Sequence, residues 1–140
     1  MKIAVDTNRI IAAFVKDSTT RKILFDGNFE FVTPDCTITE IQEHKEELKD
    51  KTNLNDDEFD ILLALVFENI AIIPKSDYEA YFDECKNEIS DADDVPVLAV
   101  AIATKAEAIW AHDPHFKQQK KVKVFTNIDL LRIGEKSKLD

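Results

Sequence analysis

Ile3-Ala4-Val5-Asp6 and Ala108-Ile109-Trp110-Ala111-His112-Asp113, more than a hundred residues apart, share one pattern: a short apolar run followed by a carboxylate. Runs of this length, apolar without alternation, suit parallel strands buried on both faces. Further runs of this kind lie at Glu30 to Thr33, Ala71 to Ile73 and Val122 to Phe125, and the first begins at Lys2. Helical patterns separate them: Asn8 to Lys16, Thr19 to Asp26, Asp35 to about Lys51, Asp56 to Phe67, Asp77 to Glu88, Asp93 to Lys105 and Asn127 to Ile133. Strands alternating with helices predict an α/β fold, a three-layer α/β/α sandwich with a central parallel sheet. With no repeat, linker or low-complexity stretch, residues 1–140 read as a single domain. Asp35, Asp56, Asp77, Asp93 and Thr126 are placed to cap helices, so an aspartate near a helix start has a structural role to compete with any chemical one.

Composition narrows the function. A chain of 140 residues with 44% hydrophobic content can bury a real core. No apolar run approaches the ~20 residues that span a bilayer, and the start, Met1 to Asn8, reaches a charge too soon for a signal peptide. Cys36 and Cys85 match no zinc-ligand spacing and read as reduced thiols of a cytoplasmic protein. Gly27 and Gly134, the only glycines, exclude a glycine-rich phosphate loop. A net charge of -10 argues against a protein that coats nucleic acid, but not against a nuclease whose acids bind cations. Lysines at 117, 120, 121 and 123, and Lys16, Arg21 and Lys22, are candidates for phosphate contact; each group fits a solvated helix face as well.

The acids carry the chemistry. Asp6 and Asp113 fall at the carboxyl edge of the sheet, where open parallel α/β folds bind ligands. Asp6 also suits a helix cap, and Asp113-Pro114 also suits a turn. Glu40 shares a helical face with Glu43, His44 and Glu47, which equally describes a solvated face. Asp91, Asp93 and Asp94 precede the apolar helix that begins near Val95; with Asp93 as the cap, Asp94 enters the first turn, and spacing alone does not choose between them. Carboxylates crowded into one cleft repel one another unless a cation neutralises them, so a divalent-metal site is expected.

Asp6-Thr7-Asn8 after the first strand, Thr37-Ile38-Thr39-Glu40-Ile41 on a helix, and the stretch from Asp91 to Phe116 resemble the PIN-domain (PilT N-terminus) nucleases. The likeness runs across nearly the whole chain and implies their PIN-like, Rossmann-like topology. It implies that Asp6, Glu40, Asp94 and Asp113 are the catalytic, metal-binding acids, and it selects Asp94 over Asp93. Two positions depart from the pattern: Ala111, where many relatives have Thr or Ser, and His115, where many have a further acid. Both bear on a second metal position.

Oxygen ligands select Mg²⁺ or Mn²⁺ over zinc. The resemblance implies endonucleolytic cleavage of RNA leaving a 5′-phosphate and a 3′-hydroxyl, with Asp6 and Asp94 as direct ligands and Asp113 completing the shell. Glu40 would bind a second metal or orient the nucleophile. Asn8 is a candidate for holding an acid in place, and His115 for contacting substrate phosphate. His112 and His115 flank Asp113, but without a third nitrogen or thiolate ligand they do not make a zinc site. Trp110 and Phe116 belong to the core. Small stand-alone domains of this family resemble the toxins of toxin–antitoxin pairs, which implies a small antitoxin partner and a homodimer. Two alternatives remain: a non-catalytic PIN-like module that binds RNA or protein, and a haloacid-dehalogenase-type phosphatase, which needs an acid where Asn8 stands.

Overall fold

The structure, a computed structural model, describes residues 1–15 and 18–139. Five parallel strands form one sheet: β1 (Lys2–Val5), β2 (Glu30–Pro34), β3 (Ile70–Ile73), β4 (Ala108–Trp110) and β5 (Lys123–Phe125), in the order β3-β2-β1-β4-β5. The helices are α1 (Thr7–Phe14), α2 (Ser18–Leu24), α3 (Cys36–Glu43), α4 (Lys45–Thr52), α5 (Asp56–Phe67), α6 (Lys75–Tyr78), α7 (Phe82–Glu88), α8 (Val95–Ala103) and α9 (Asn127–Leu139). Short 3-10 turns cover Glu79–Tyr81 and Pro114–Gln118.

Side chains alternate across the sheet and fill two cores. Ile3, Val5, Phe31, Ala108 and Trp110 face one side with Ile10, Phe14, Ile23, Leu24, Phe59 and Leu130 of the helices. Ala4, Val32, Ile109 and Ala111 face the other, against Tyr78, Cys85 and the residues from Val97 to Ala101 of α8. This is the expected three-layer sandwich. α8 is apolar all round and buried nearly all round, as a helix wedged between a sheet and α6–α7 must be. The inner strands are buried except at their first residues, Lys2 and Glu30, whereas the edge strands are more open: Ala71 and Ile72 of β3 and Lys123 of β5 are exposed.

Three expected helices differ. The helix from Asp35 to Lys51 is two, α3 and α4, broken at His44, which takes φ -96° and ψ 8°. Its N–H still bonds the Glu40 and Ile41 carbonyls, so the break is a one-residue kink with no proline or glycine to announce it. The helix from Asp77 to Glu88 is α6, a 3-10 turn and α7, starting after Pro74. α9 runs to Leu139, beyond the expected end at Ile133. The expected end of the first helix at Lys16, like any phosphate contact by Lys16, lies outside the described residues.

The caps also moved. Asn55, not Asp56, caps α5 in a full capping box with Glu58. Asp35 accepts from the Tyr78 hydroxyl at 2.6 Å rather than capping α3. Asp77 sits in the first turn of α6 and Pro74 at its cap. Asp94, not Asp93, holds the cap position of α8. Thr126 does cap α9, paired reciprocally with Asp129.

Candidate active site

Chain connectivity reverses direction at β1: β2 and β3 lie to one side, β4 and β5 to the other. A parallel sheet opens a crevice at the carboxyl end of such a switch point. The Asp6 N–H bonds the Trp110 carbonyl at 3.1 Å, which locks the residue after β1 to the end of β4 at the mouth of that crevice. Asp113 follows β4 by three residues, and the buried start of α8 brings Asp94 to the same place.

Asp6 and Asp94 hold the cap positions of α1 and α8, yet neither side chain makes a capping bond. Capping, the structural alternative for both, is therefore not what these carboxylates do. Asp6 is 5% exposed and Asp94 7%, and one oxygen of each, Oδ2, is buried without a hydrogen bond among the described residues. Burial above all, then the charges of Asp94 and Asp113, push the Asp6 carboxyl up to about 7, against the pull of Arg9. Asp94 is pushed up to about 6 by burial, then by Asp91 and Asp113, with His115 opposing. Buried acids left with unmet acceptors are costly to keep. A hard cation with oxygen ligands removes both the repulsion and the unmet acceptors, so the residues present fit a divalent metal.

Asp113 is half-buried and serves twice. Its Oδ1 accepts the His115 N–H at 2.8 Å, which opens the 3-10 turn, and lies 3.2 Å from His115 Nδ1. Glu40 stands farther out on α3. Burial raises its pKa most, a hydrogen bond from Thr7 offsets this, and Asp93 and Glu43 raise it again. Its charge still reaches Asp6. Behind it runs a buried hydroxyl chain: Thr7 to Thr37 at 3.3 Å, Thr37 to Thr33 at 3.0 Å, and Thr33 to the Val5 carbonyl at 3.2 Å. That chain ties α3 to the strand that delivers Asp6. Sequence reasoning gave these threonines no part, although Thr37 and Glu40 stand three apart on one helix face.

The structure thus gathers Asp6, Asp94 and Asp113 and sets Glu40 beside them. It adds Asp91, whose Oδ1 accepts the Asp93 N–H at 3.0 Å while Oδ2 stands 3.6 Å from His115 Nδ1. The only hint in the sequence was the acidic run itself. Asn8 is exposed and faces a cleft lined by Ile11, His44, Glu47, Leu48 and Lys51, on the α4 side. His112 turns the other way, its Nε2 accepting the Asn127 N–H at 3.2 Å. Asn127 in turn accepts from Trp110 Nε1 at 2.8 Å, so this pair anchors α9 to β4. Arg21 donates to the Ala13 and Phe14 carbonyls and closes the end of α1.

A five-stranded parallel sheet with acids gathered at its switch point defines a PIN-like α/β fold. A sequence profile of the PIN domain matches residues 4–127, and the chain belongs to that family of nucleases. Among solved structures the fold is similar to VapBC2 from Rickettsia felis, crystallised bound to a DNA fragment from its promoter. The TM-score is 0.72 with 18% identity, over 90% of this chain and 98% of that one. No curated protein matches. No described helix is long and apolar enough to cross a membrane.

Proposed function

We propose that the chain is a single PIN domain acting as a divalent-metal-dependent endoribonuclease. The observation that carries this reading is the pair of buried carboxylate oxygens, on Asp6 and Asp94, that have no hydrogen bond among the described residues while the charge of Asp113 bears on both groups. Asp6 and Asp94 would hold Mg²⁺ or Mn²⁺, with Asp113 completing the shell. When bound, such a cation polarises the scissile phosphate and lowers the pKa of an attacking water. Glu40, its basicity raised by burial and its carboxylate held by the Thr7 hydroxyl, would serve as the proton acceptor for an attacking water. Asn8 stands where a haloacid-dehalogenase phosphatase needs an acid, and membership of the PIN family favours a nuclease, so a phosphodiester of RNA is the better substrate.

Family membership and the fold shared with VapBC2 support a toxin whose partner is a small antitoxin, active in the cytoplasm as a homodimer. Incubation of purified protein with single-stranded and structured RNAs, with Mg²⁺, Mn²⁺ or EDTA, tests the enzyme reading. Metal-dependent cleavage with 5′-phosphate ends, lost in Asp6→Asn and Asp94→Asn while both fold, is the expected result. Tight RNA binding without cleavage under every metal condition would make the chain a non-catalytic binding module instead.

A further inference from the structure

We propose that Asp91, Asp94 and His115 form a mixed oxygen–nitrogen site that makes the centre select Mn²⁺ over Mg²⁺, with the His115 imidazole as a direct ligand. The inference rests on the nuclease reading and deepens it: the acids alone leave the two cations nearly equivalent, and the imidazole does not.

The geometry comes from two short segments. Asp91 and Asp94 precede α8, and His115 lies in the 3-10 turn after β4. One ligand atom from each of the three lies within 4.8 Å of the others. His115 Nδ1 stands 3.4 Å from Asp94 Oδ2 and 3.6 Å from Asp91 Oδ2. In a shell with metal–ligand bonds of about 2.1 Å, neighbouring ligand atoms stand about 3 Å apart, so a small closure of these separations makes a coordination edge.

Each group is already oriented. Asp91 has one oxygen engaged by the Asp93 N–H, which leaves the other toward His115. Asp113 accepts the His115 N–H and so fixes the turn that presents the imidazole. Asp94 is 7% exposed, and its Oδ2, the oxygen nearest His115, has no hydrogen bond of its own among the described residues. Such a support set behind each ligand is what a metal centre requires.

A simple ion pair does not account for the cluster. A ring nitrogen carries at most one proton and donates it to one acceptor, whereas three carboxylates stand within 3.6 Å of this nitrogen. One imidazolium charge, with Arg9 acting on Asp6, still leaves more carboxylates than cations among Asp6, Asp91, Asp94 and Asp113. A divalent cation bound by the same atoms compensates it. Imidazole is a good ligand for transition metals and a poor one for Mg²⁺, which prefers oxygen and keeps its waters.

Calorimetric titration of the metal-free full chain with MnCl₂ and with MgCl₂ separates the outcomes, using wild type, His115→Ala, Asp91→Asn and, as a test of the underlying site, Asp6→Asn. We expect tighter binding of Mn²⁺ than of Mg²⁺ in the wild type, and a fall in Mn²⁺ affinity of roughly 10- to 100-fold in His115→Ala with little change for Mg²⁺. Pulsed electron paramagnetic resonance of bound Mn²⁺ should show modulation from a coordinated imidazole nitrogen, absent in His115→Ala. An unchanged Mn²⁺ to Mg²⁺ ratio in His115→Ala, or tighter binding of both ions, would reduce His115 to a counter-charge and overturn the inference. Loss of binding in Asp6→Asn alongside such a result leaves the nuclease site standing. Failure of the wild type to bind either ion overturns both.

Discussion

Two parts of this molecule are crowded with acids, and they treat them in opposite ways. Around α4 and α5, four carboxylates have a lysine: Lys49 meets Asp56 at 2.7 Å and Glu46 at 3.4 Å, Lys45 reaches Asp60 at 3.4 Å, and Lys51 reaches Glu47 at 2.9 Å. These pairs are exposed, screened by water and worth little each. At the switch point of the sheet Asp6 and Asp94 are buried, the opposing cations are His115 and Arg9, and one oxygen of each of these two carboxylates has no hydrogen bond among the described residues. A fold that balances charge on its surface and leaves it unbalanced in a crevice has kept the imbalance for a ligand. The contrast lies in burial and pairing, since both regions are rich in acids.

The sharpest way to break the comparison is to neutralise one acid from each region. Asp6→Asn or Asp94→Asn removes an interaction that contributes several kcal/mol in the transition state, so RNA cleavage should fall by about 10³-fold. Asp56→Asn should cleave as the wild type does. Equal losses in the two regions, measured as single-turnover rates, would erase the distinction.

Stability in the absence of metal should separate the regions almost as strongly. Asp6 and Asp94 titrate higher in the folded chain than in the unfolded one. Their contribution to stability is therefore whole below the unfolded value of 3.8 and is lost as pH rises through about 6 and then about 7. For Asp6 alone the loss amounts to roughly 4 kcal/mol. The lowered carboxyls Asp35, Glu47 and Asp56 act in the opposite sense, but below the unfolded carboxylate values, so they are silent between pH 5 and 8. The EDTA-treated wild type should therefore melt at a higher temperature at pH 5 than at pH 8, and Asp6→Asn should flatten most of that slope. A melting temperature that climbs from pH 5 to pH 8 contradicts the assignment.

Glu40→Gln keeps shape and hydrogen bonding while removing the proton acceptor. A loss of about 10²-fold in cleavage, with metal binding retained, is the outcome a general base gives. Thr37→Val interrupts the buried hydroxyl chain beneath it and should cost about 1–3 kcal/mol in denaturant unfolding, because Thr7 and Thr33 are left with a poorer partner. Asn55→Ala, which removes the α5 cap in the lysine-paired region, should cost about 1 kcal/mol and leave cleavage unchanged.

Much of this was legible in the sequence because it depended on local patterns. Continuous apolar runs identified the strands, and a carboxylate closing two of them placed Asp6 and Asp113 at one edge. What the sequence hid was geometric. The kink at His44 has no breaker residue, so a period alone ran α3 into α4. Asp93 and Asp94 are adjacent acids before one helix that spacing does not separate; the family resemblance chose Asp94, and in the fold, where Asp91 accepts the Asp93 N–H, Asp94 is buried while Asp93 is exposed. His115 looked like a lone departure from an acidic pattern; its meaning came from Asp91, which lies 24 residues away and meets it only in the fold. The threonine chain was invisible for the same reason: Thr7, Thr33 and Thr37 belong to different elements, and nothing in their spacing reports that their hydroxyls touch.

The most direct measurement is calorimetry of Mn²⁺ binding to the metal-free chain at pH 7, comparing wild type, Asp6→Asn and Asp56→Asn in two buffers of different ionisation heat. The account predicts saturable binding with release of protons from the raised Asp6 and Asp94 carboxyls, abolished in Asp6→Asn and unchanged in Asp56→Asn. Binding that survives in Asp6→Asn and disappears in Asp56→Asn would place the cation among the surface acids and contradict it.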